Sequence, residues 1–143
     1  MTNVKSIVLD DAKLLNRYYD KRALSSLPQH SGLPFRFGKV QWADDLIEMV
    51  NGKPSVKPIS ATLARLQNVF HSNDAVFTYK NGEVFVRATI PSGTIDAGDS
   101  KQFSALGFLD NAGDLIAVCV TQPVWVYADR SLVVEATIRT NIA

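Results

Sequence analysis

The stretch from Phe103 to Pro123, FSALGFLDNAGDLIAVCVTQP, sets two nearly uncharged runs, Phe103–Leu109 and Leu115–Val120, on either side of Asp110-Asn111-Ala112-Gly113-Asp114. Asn, Gly and Asp accept left-handed backbone or bond their own main chain, so this connection reads as a tight hairpin turn. Strict alternation on the second run points Leu115, Ala117 and Cys119 one way and Ile116, Val118 and Val120 the other. Both faces are apolar, as expected of a central strand covered on both sides.

Working outward, Val124–Asp129 reads as a short strand or loop edge. From Leu132 to Ile142 apolar and polar residues alternate, which predicts a long final strand with one buried side. Upstream, Ala75, Phe77 and Tyr79 alternate, Asn81-Gly82 turns the chain, and Val84, Val86, Ala88 and Ile90 alternate again. That is a strong local hairpin signal. Pro91-Ser92-Gly93 ends the strand, and Thr94–Lys101 reads as a polar loop.

The N-terminal part looks helical. Ala12, Leu15, Tyr19 and Ala23, widened by Leu14 and Tyr18, predict an amphipathic helix from Asp11 to Ser25, capped by Asp10 or Asp11. Lys13, Arg17 and Lys21, with Arg22 beside them, form a basic strip that is either a solvated face or a dock for an acidic partner. Leu27–Pro34 reads as a loop and Phe35–Trp42 as a half-buried strand. Ala43–Val50 before Asn51-Gly52 suggests a short helix with a glycine stop, and Lys53–Pro58 an extended segment. Ser60–Phe70 carries Leu63, Leu66 and Phe70 at helical spacing behind a possible Ser60 cap. The expected class is α+β in one domain over 1–143: a helical part, 1–30, then a mainly β part, 31–143. The β part is expected to be an antiparallel sheet or sandwich of about five to seven strands.

Composition narrows the function. A chain of 143 residues with 46% apolar and 20% charged residues can bury a real core as one domain. Fifteen basic against fourteen acidic side chains leave a net charge of +1, without the basic excess of a nucleic-acid binder. The single cysteine, Cys119, excludes an internal disulfide and a multi-cysteine zinc site. No run nears the ~18 apolar residues of a membrane span. MTNVKSIVLDDAK lacks a signal-peptide core and cleavage site, so synthesis in the cytosol without export by that route is expected.

Catalytic patterns are thin, and no enzyme, cofactor or metal site is expected. His30 and His71 stand in no metal-ligand spacing. His71 near Asp74 is the one conceivable hydrolytic pair. Gly93, Gly98 and Gly107 do not build a phosphate loop, and no nucleophile elbow occurs. Asp110 and Asp114 could suggest calcium, but turn formation already explains them. The aromatics are more informative. Phe35, Phe37 and Trp42, and then Val124, Trp125 and Tyr127, read as core, as a stacking platform for sugar or single-stranded nucleic acid, or as protein–protein anchors. We take them as candidate assembly contacts, Val124–Tyr127 foremost.

The order of segments RFGKVQWADD, SATLARLQNVF, VFVRATIP and FSALGFLDNAGDLIAVCVTQP, then a closing strand, resembles the N-terminal domain of phage tail-collar fibre proteins. The hairpin residues that carry the resemblance are Leu106-Gly107-Phe108-Leu109-Asp110, Gly113, Leu115-Ile116-Ala117-Val118 and Pro123. Two departures stand out: Ser104-Ala105 replaces the usual acidic residue before the central Leu-Gly, and the sequence stops at Ala143 where family members usually continue into a long receptor-binding shaft. The resemblance implies a virion protein made in the host cytoplasm. Its role would be that of a tail-fibre or baseplate attachment piece, or a short collar, acting with other tail proteins and with copies of itself, three as the expected number. It carries no catalytic residues. A carbohydrate- or receptor-binding module using Asp96, Asp99 and Lys101 is the alternative.

Overall fold

The computed structural model describes residues 3–9, 12–29 and 35–139. In chain order the elements are β1 (Asn3–Val8), β2 (Lys13–Leu14), α1 (Asn16–Ser25), β3 (Phe37–Ala43), β4 (Ile47–Val50) and β5 (Lys53–Val56). They continue with β6 (Val69–Asn73), β7 (Val76–Lys80), β8 (Glu83–Ile90), β9 (Ser100–Asp110), β10 (Leu115–Tyr127) and β11 (Arg130–Arg139). Three sheets result, ordered β1-β11-β8-β7, β2-β10-β9-β3-β6 and β4-β5. The α+β expectation is therefore corrected. Among the described residues the protein is a mainly β structure with one helix of 10 residues.

Of the three expected helices one forms, shortened, and the other two do not, each for a local reason. Lys13 and Leu14 are spent as β2 against Val118 and Ala117, so the helix starts at Asn16 rather than Asp11. Its N-cap is Leu15, which offers no side-chain bond; Asp10 and Asp11 lie outside the described residues. Asn51-Gly52 is not a helix stop. With φ of 52° and 76° it turns β4 into β5, as Asn81 (52°) and Gly82 (82°) turn β7 into β8. Both are the left-handed pair that a two-residue hairpin requires. In the 60–68 segment the Ser60 hydroxyl bonds Thr62 Oγ1 at 2.8 Å and accepts the Thr62 amide at 3.3 Å. Such local bonding competes with a helix. The segment instead lies over the five-stranded sheet.

The four- and five-stranded sheets face each other across the main core. From one side come Val86, Ala88, Ile90, Leu132, Val134, Ala136 and Ile138; from the other Val40, Trp42, Phe103, Leu106, Phe108, Ile116 and Val126. A second cluster sits on the outer face of the five-stranded sheet. There Leu66, with Ile59 and Leu63, covers Leu115, Val118 and Ala105. The central hairpin is thus buried on both faces, but not by strict alternation. A register shift between Leu115 and Ala117 puts Ile116, Ala117 and Cys119 in the main core and Leu115 and Val118 in the second cluster. The bulged residue remains bonded, its carbonyl accepting the Leu15 amide at 2.9 Å.

Two further expectations change. Pro123 does not end β10: it sits in a second register shift, between Val120 and Val124, where a strand tolerates proline. The strand then continues through Val124–Tyr127. Asn3–Val8, in the stretch for which no strand is expected from sequence, is an edge strand parallel to β11.

Candidate assembly surfaces

The central turn is held by its own aspartate. Asp110 Oδ1 accepts the amides of Ala112 at 3.0 Å and Asp114 at 2.8 Å, and the Asp110 carbonyl accepts Gly113 N–H at 3.0 Å. Gly113 has φ of 89°, which favours glycine. Gly38 lets β3 pass close by, because a Cβ there would stand 2.5 Å from the Asp110 carbonyl oxygen. Onto this turn the helix lowers Lys21, whose Nζ donates to Asp110 Oδ2 and, at 2.6 Å, to Asp114 Oδ2. Arg17 stands 4.0 Å from Asp114. Two members of the basic strip, Arg17 and Lys21, therefore meet acidic partners within the chain.

The charge balance of this latch follows from burial. Desolvation, the largest single influence, works to lower the Lys21 pKa, but the hydrogen bonds that Lys21 donates to Asp110 and Asp114, together with the charges of those carboxylates, outweigh it and the net shift is upward. The Lys21 hydrogen bond, opposed by some desolvation and helped by the Lys21 and Arg17 charges, holds the Asp114 carboxyl below its usual range. Sequence reasoning treated the strip and the aspartates separately. The signal was there in the four-residue spacing of Arg17 and Lys21 and of Asp110 and Asp114. Their meeting depends on how the helix packs.

That packing rests on aromatic rings. Tyr18 is buried, and its ring lies 5.5 Å from Phe35 and 6.2 Å from Phe37. Phe37 in turn stacks on Phe77 of the opposite sheet at 5.3 Å. Burial pushes the Tyr18 phenol pKa up. Phe35 and Phe37 are thus half-buried beneath the helix. Trp42 is wholly buried: its indole packs on Phe103 at 5.1 Å and donates Nε1–H to Asn73 Oδ1 at 2.9 Å. The Asn73 amide then donates to the Thr89 carbonyl at 2.7 Å, which ties the two main sheets together.

Of the candidates only Trp125 and Tyr127 share an exposed face. Trp125 is 49% and Tyr127 39% exposed, while Val126 between them is buried and Val124 is half-buried. Alternation sets both large rings on one face, roughly 7 Å apart along the strand. Opposite them on β9 stand Gln102 and Ser100. The Arg130 guanidinium lies 5.2 Å from the Tyr127 ring centre, a cation–π distance. Beside Tyr127 a shallow cleft of about 350 Å³ is lined by residues including Asp99, Ser100 and Asp129. Asp96, Asp99 and Lys101 are all exposed, but only Asp99 lines the cleft, and Lys101 stands opposite Val126.

The other candidates do not assemble into chemistry. His71 is opposite Trp42 at the sheet edge, and the Asp74 carboxylate stands 3.5 Å from Lys39. His30 lies outside the described residues. Among the described residues no group of three His, Cys, Asp or Glu side chains could hold a metal ion, and no helix is long and apolar enough to cross a membrane.

The sequence that folds into this mainly β architecture is similar to that of a phage tail component. The family described as bacteriophage P1 tail fiber protein R matches residues 1–143. Tail fiber protein R of Escherichia phage P1 is 26% identical over 136 residues, covering 92% of this chain and 93% of that protein. No solved structure matches. The chain belongs to the bacteriophage P1 tail fiber protein R family, a family of structural tail-fibre proteins.

Proposed function

We propose that this protein is the attachment piece of a phage tail fibre, a single domain that joins the fibre to the baseplate or to a collar. The family match along the whole chain carries this reading, and the likeness to a named tail fibre protein supports a place in the virion. The fold suits a coupling part: a core sealed on both faces of its central hairpin, with Trp125 and Tyr127 left at one strand end. Exposed Trp and Tyr on a rigid strand are the residue types that anchor interfaces. In this reading they bind other tail proteins or neighbouring copies, three copies forming a closed ring. It assigns the protein no catalytic role.

The test is the solution mass of the parent, Trp125→Ala and Tyr127→Ala across a concentration series. The parent is expected to form trimers, and each variant to need at least tenfold more protein to do so, with an unchanged melting temperature. Variants that associate like the parent would show that the patch is the wrong one.

The cleft beside Tyr127 favours one second reading, a carbohydrate-binding module. Asp99 and Asp129 carboxylates beside an aromatic ring could accept sugar hydroxyls. Binding on a glycan array that is lost in Asp99→Ala would support it; an array without a binder above background would count against it.

A further inference from the structure

We infer that β7 is a pairing edge for a second copy of this chain, joined antiparallel about a two-fold axis at Thr78. Among the described residues β7 is the last strand of its sheet, bonded on one side to β8 and to no strand on the other. Native edges are normally blunted by proline, bulges or several charges. Val76-Phe77-Thr78-Tyr79-Lys80 has an unbroken register with β8, no proline, and one charge at its end. Among the described residues it also holds the most exposed large apolar side chain, Tyr79 at 70%, and Val76 at 64%.

The backbone selects the register. The Asn81-Gly82 turn makes Lys80 and Glu83 the first hydrogen-bonded pair, and bonded pairs then alternate down the ladder. Thr78 and Val76 therefore direct their N–H and C=O groups at β8. Phe77 and Tyr79 direct theirs at the open edge. A second copy can satisfy these groups only in registers that set Phe77 and Tyr79 opposite one another or opposite themselves. Centring on Thr78 uses both residues in both copies and closes four backbone hydrogen bonds.

The side chains of that register suit each other. Phe77 faces Tyr79 of the partner subunit twice over, and Thr78 faces Thr78 of the partner subunit at a non-bonded position. Lys80 faces Val76 of the partner subunit. Aromatic and Thr–Thr cross-strand pairs are favourable, and no like charges oppose. Phe77 already stacks on Phe37, so Tyr79 would extend an existing aromatic row. The outer-face groove lined by Val76, Thr78 and Phe85 would then run unbroken across the joint. This contact involves neither Trp125 nor Tyr127. The smallest closed assembly that holds both a two-fold pair and a three-fold ring is a dihedral hexamer, in which the trimers of the proposed function pair through β7, so the two interfaces can be lost separately.

Thr78→Cys tests the register directly, because the native cysteine, Cys119, is buried. Directly opposed Cβ atoms at a non-bonded position lie roughly 4.5–5.5 Å apart, near enough to close a disulfide with slight adjustment. Val76→Cys is the control: in this register its two copies are offset by about 13 Å along the strand. Under mild oxidation Thr78→Cys is expected to form covalent dimer at least tenfold faster than Val76→Cys. Adding Tyr79→Lys to Thr78→Cys should slow it at least tenfold, with the far-ultraviolet spectrum unchanged. Equal rates for the two cysteine variants, or no dimer from Thr78→Cys in its folded form, would overturn the inference.

Discussion

Lys21 on the helix grips Asp110, 89 positions later in the chain, although the Asp110 side chain is only 1% exposed. A carboxylate that deep needs a cation or several donors, since burial alone disfavours its charge. Asp110 has both: amides on Oδ1 and Lys21 on Oδ2. The same ammonium reaches the more exposed Asp114, so one lysine joins the helix to both ends of the turn.

Replacing Lys21 with Met should therefore cost about 1–3 kcal/mol of unfolding free energy, the range for stranding one member of a buried polar pair. The lysine is partly solvent-facing, which lets water reach the vacated site and keeps the loss below that of a sealed ion pair. Asp114→Asn should cost less than about 1 kcal/mol because that carboxylate is about half exposed. Urea melts of the two variants will rank them; equal losses would show that Asp110 does not depend on the lysine.

The latch also sets a pH window. The Asp114 pKa is depressed on folding from 3.8, so its contribution is present above that unfolded value and is lost as pH falls through the folded one. The Lys21 pKa is raised from 10.5, so its contribution is present below that value and is lost as pH rises through the folded one. Stability from the latch should be flat between these limits and decline beyond each. Lys21→Met should flatten both declines in a series of denaturant melts against pH.

Gly38→Ala and Gly107→Ala should differ in severity. A Cβ on Gly107 meets the Leu115 and Leu66 side-chain ends at 2.8 Å, which can shift at the cost of overpacking, about 1–3 kcal/mol. A Cβ on Gly38 meets a backbone oxygen at 2.5 Å in the braced turn, which cannot yield without moving β3 from β9. Gly38→Ala is expected to be the more destabilising in thermal melts.

Asn73→Ala should loosen the two main sheets together. It removes the amide donor to Thr89 and strands the buried Trp42 Nε1–H, with a loss of about 2–3 kcal/mol expected from one orphaned buried donor plus one lost bond. Trp42→Phe in the Asn73→Ala background should then cost less than in the parent. A double-mutant cycle without coupling would show that the indole bond is not what Asn73 contributes.

Local chemistry made some of this legible in advance. Asn81-Gly82 between alternating runs, the buried two-faced hairpin and the inward row Leu132, Val134, Ala136 and Ile138 each follow from residues adjacent in the chain. Asn51-Gly52 carries the same turn signal as Asn81-Gly82. Yet the helical spacing before it masked a strand, because short apolar runs fit both periods. Leu63 and Leu66 show the same ambiguity: their spacing fitted a helix, while their use is to cover Leu115 and Val118.

What the amino-acid order settled alone is therefore the Asn81-Gly82 and Asp110–Asp114 turns and the apolar rows of β8 and β11, since each depends on neighbours in sequence. Which apolar row faces which core, where the bulge at Ile116 resets alternation, that Trp42 is interior while Trp125 is exposed, and that Lys21 finds Asp110 were decided by tertiary packing. These outcomes depend on strands and side chains far apart in the chain. Two sheets must close on one core before burial, charge pairing and edge exposure are assigned to particular residues.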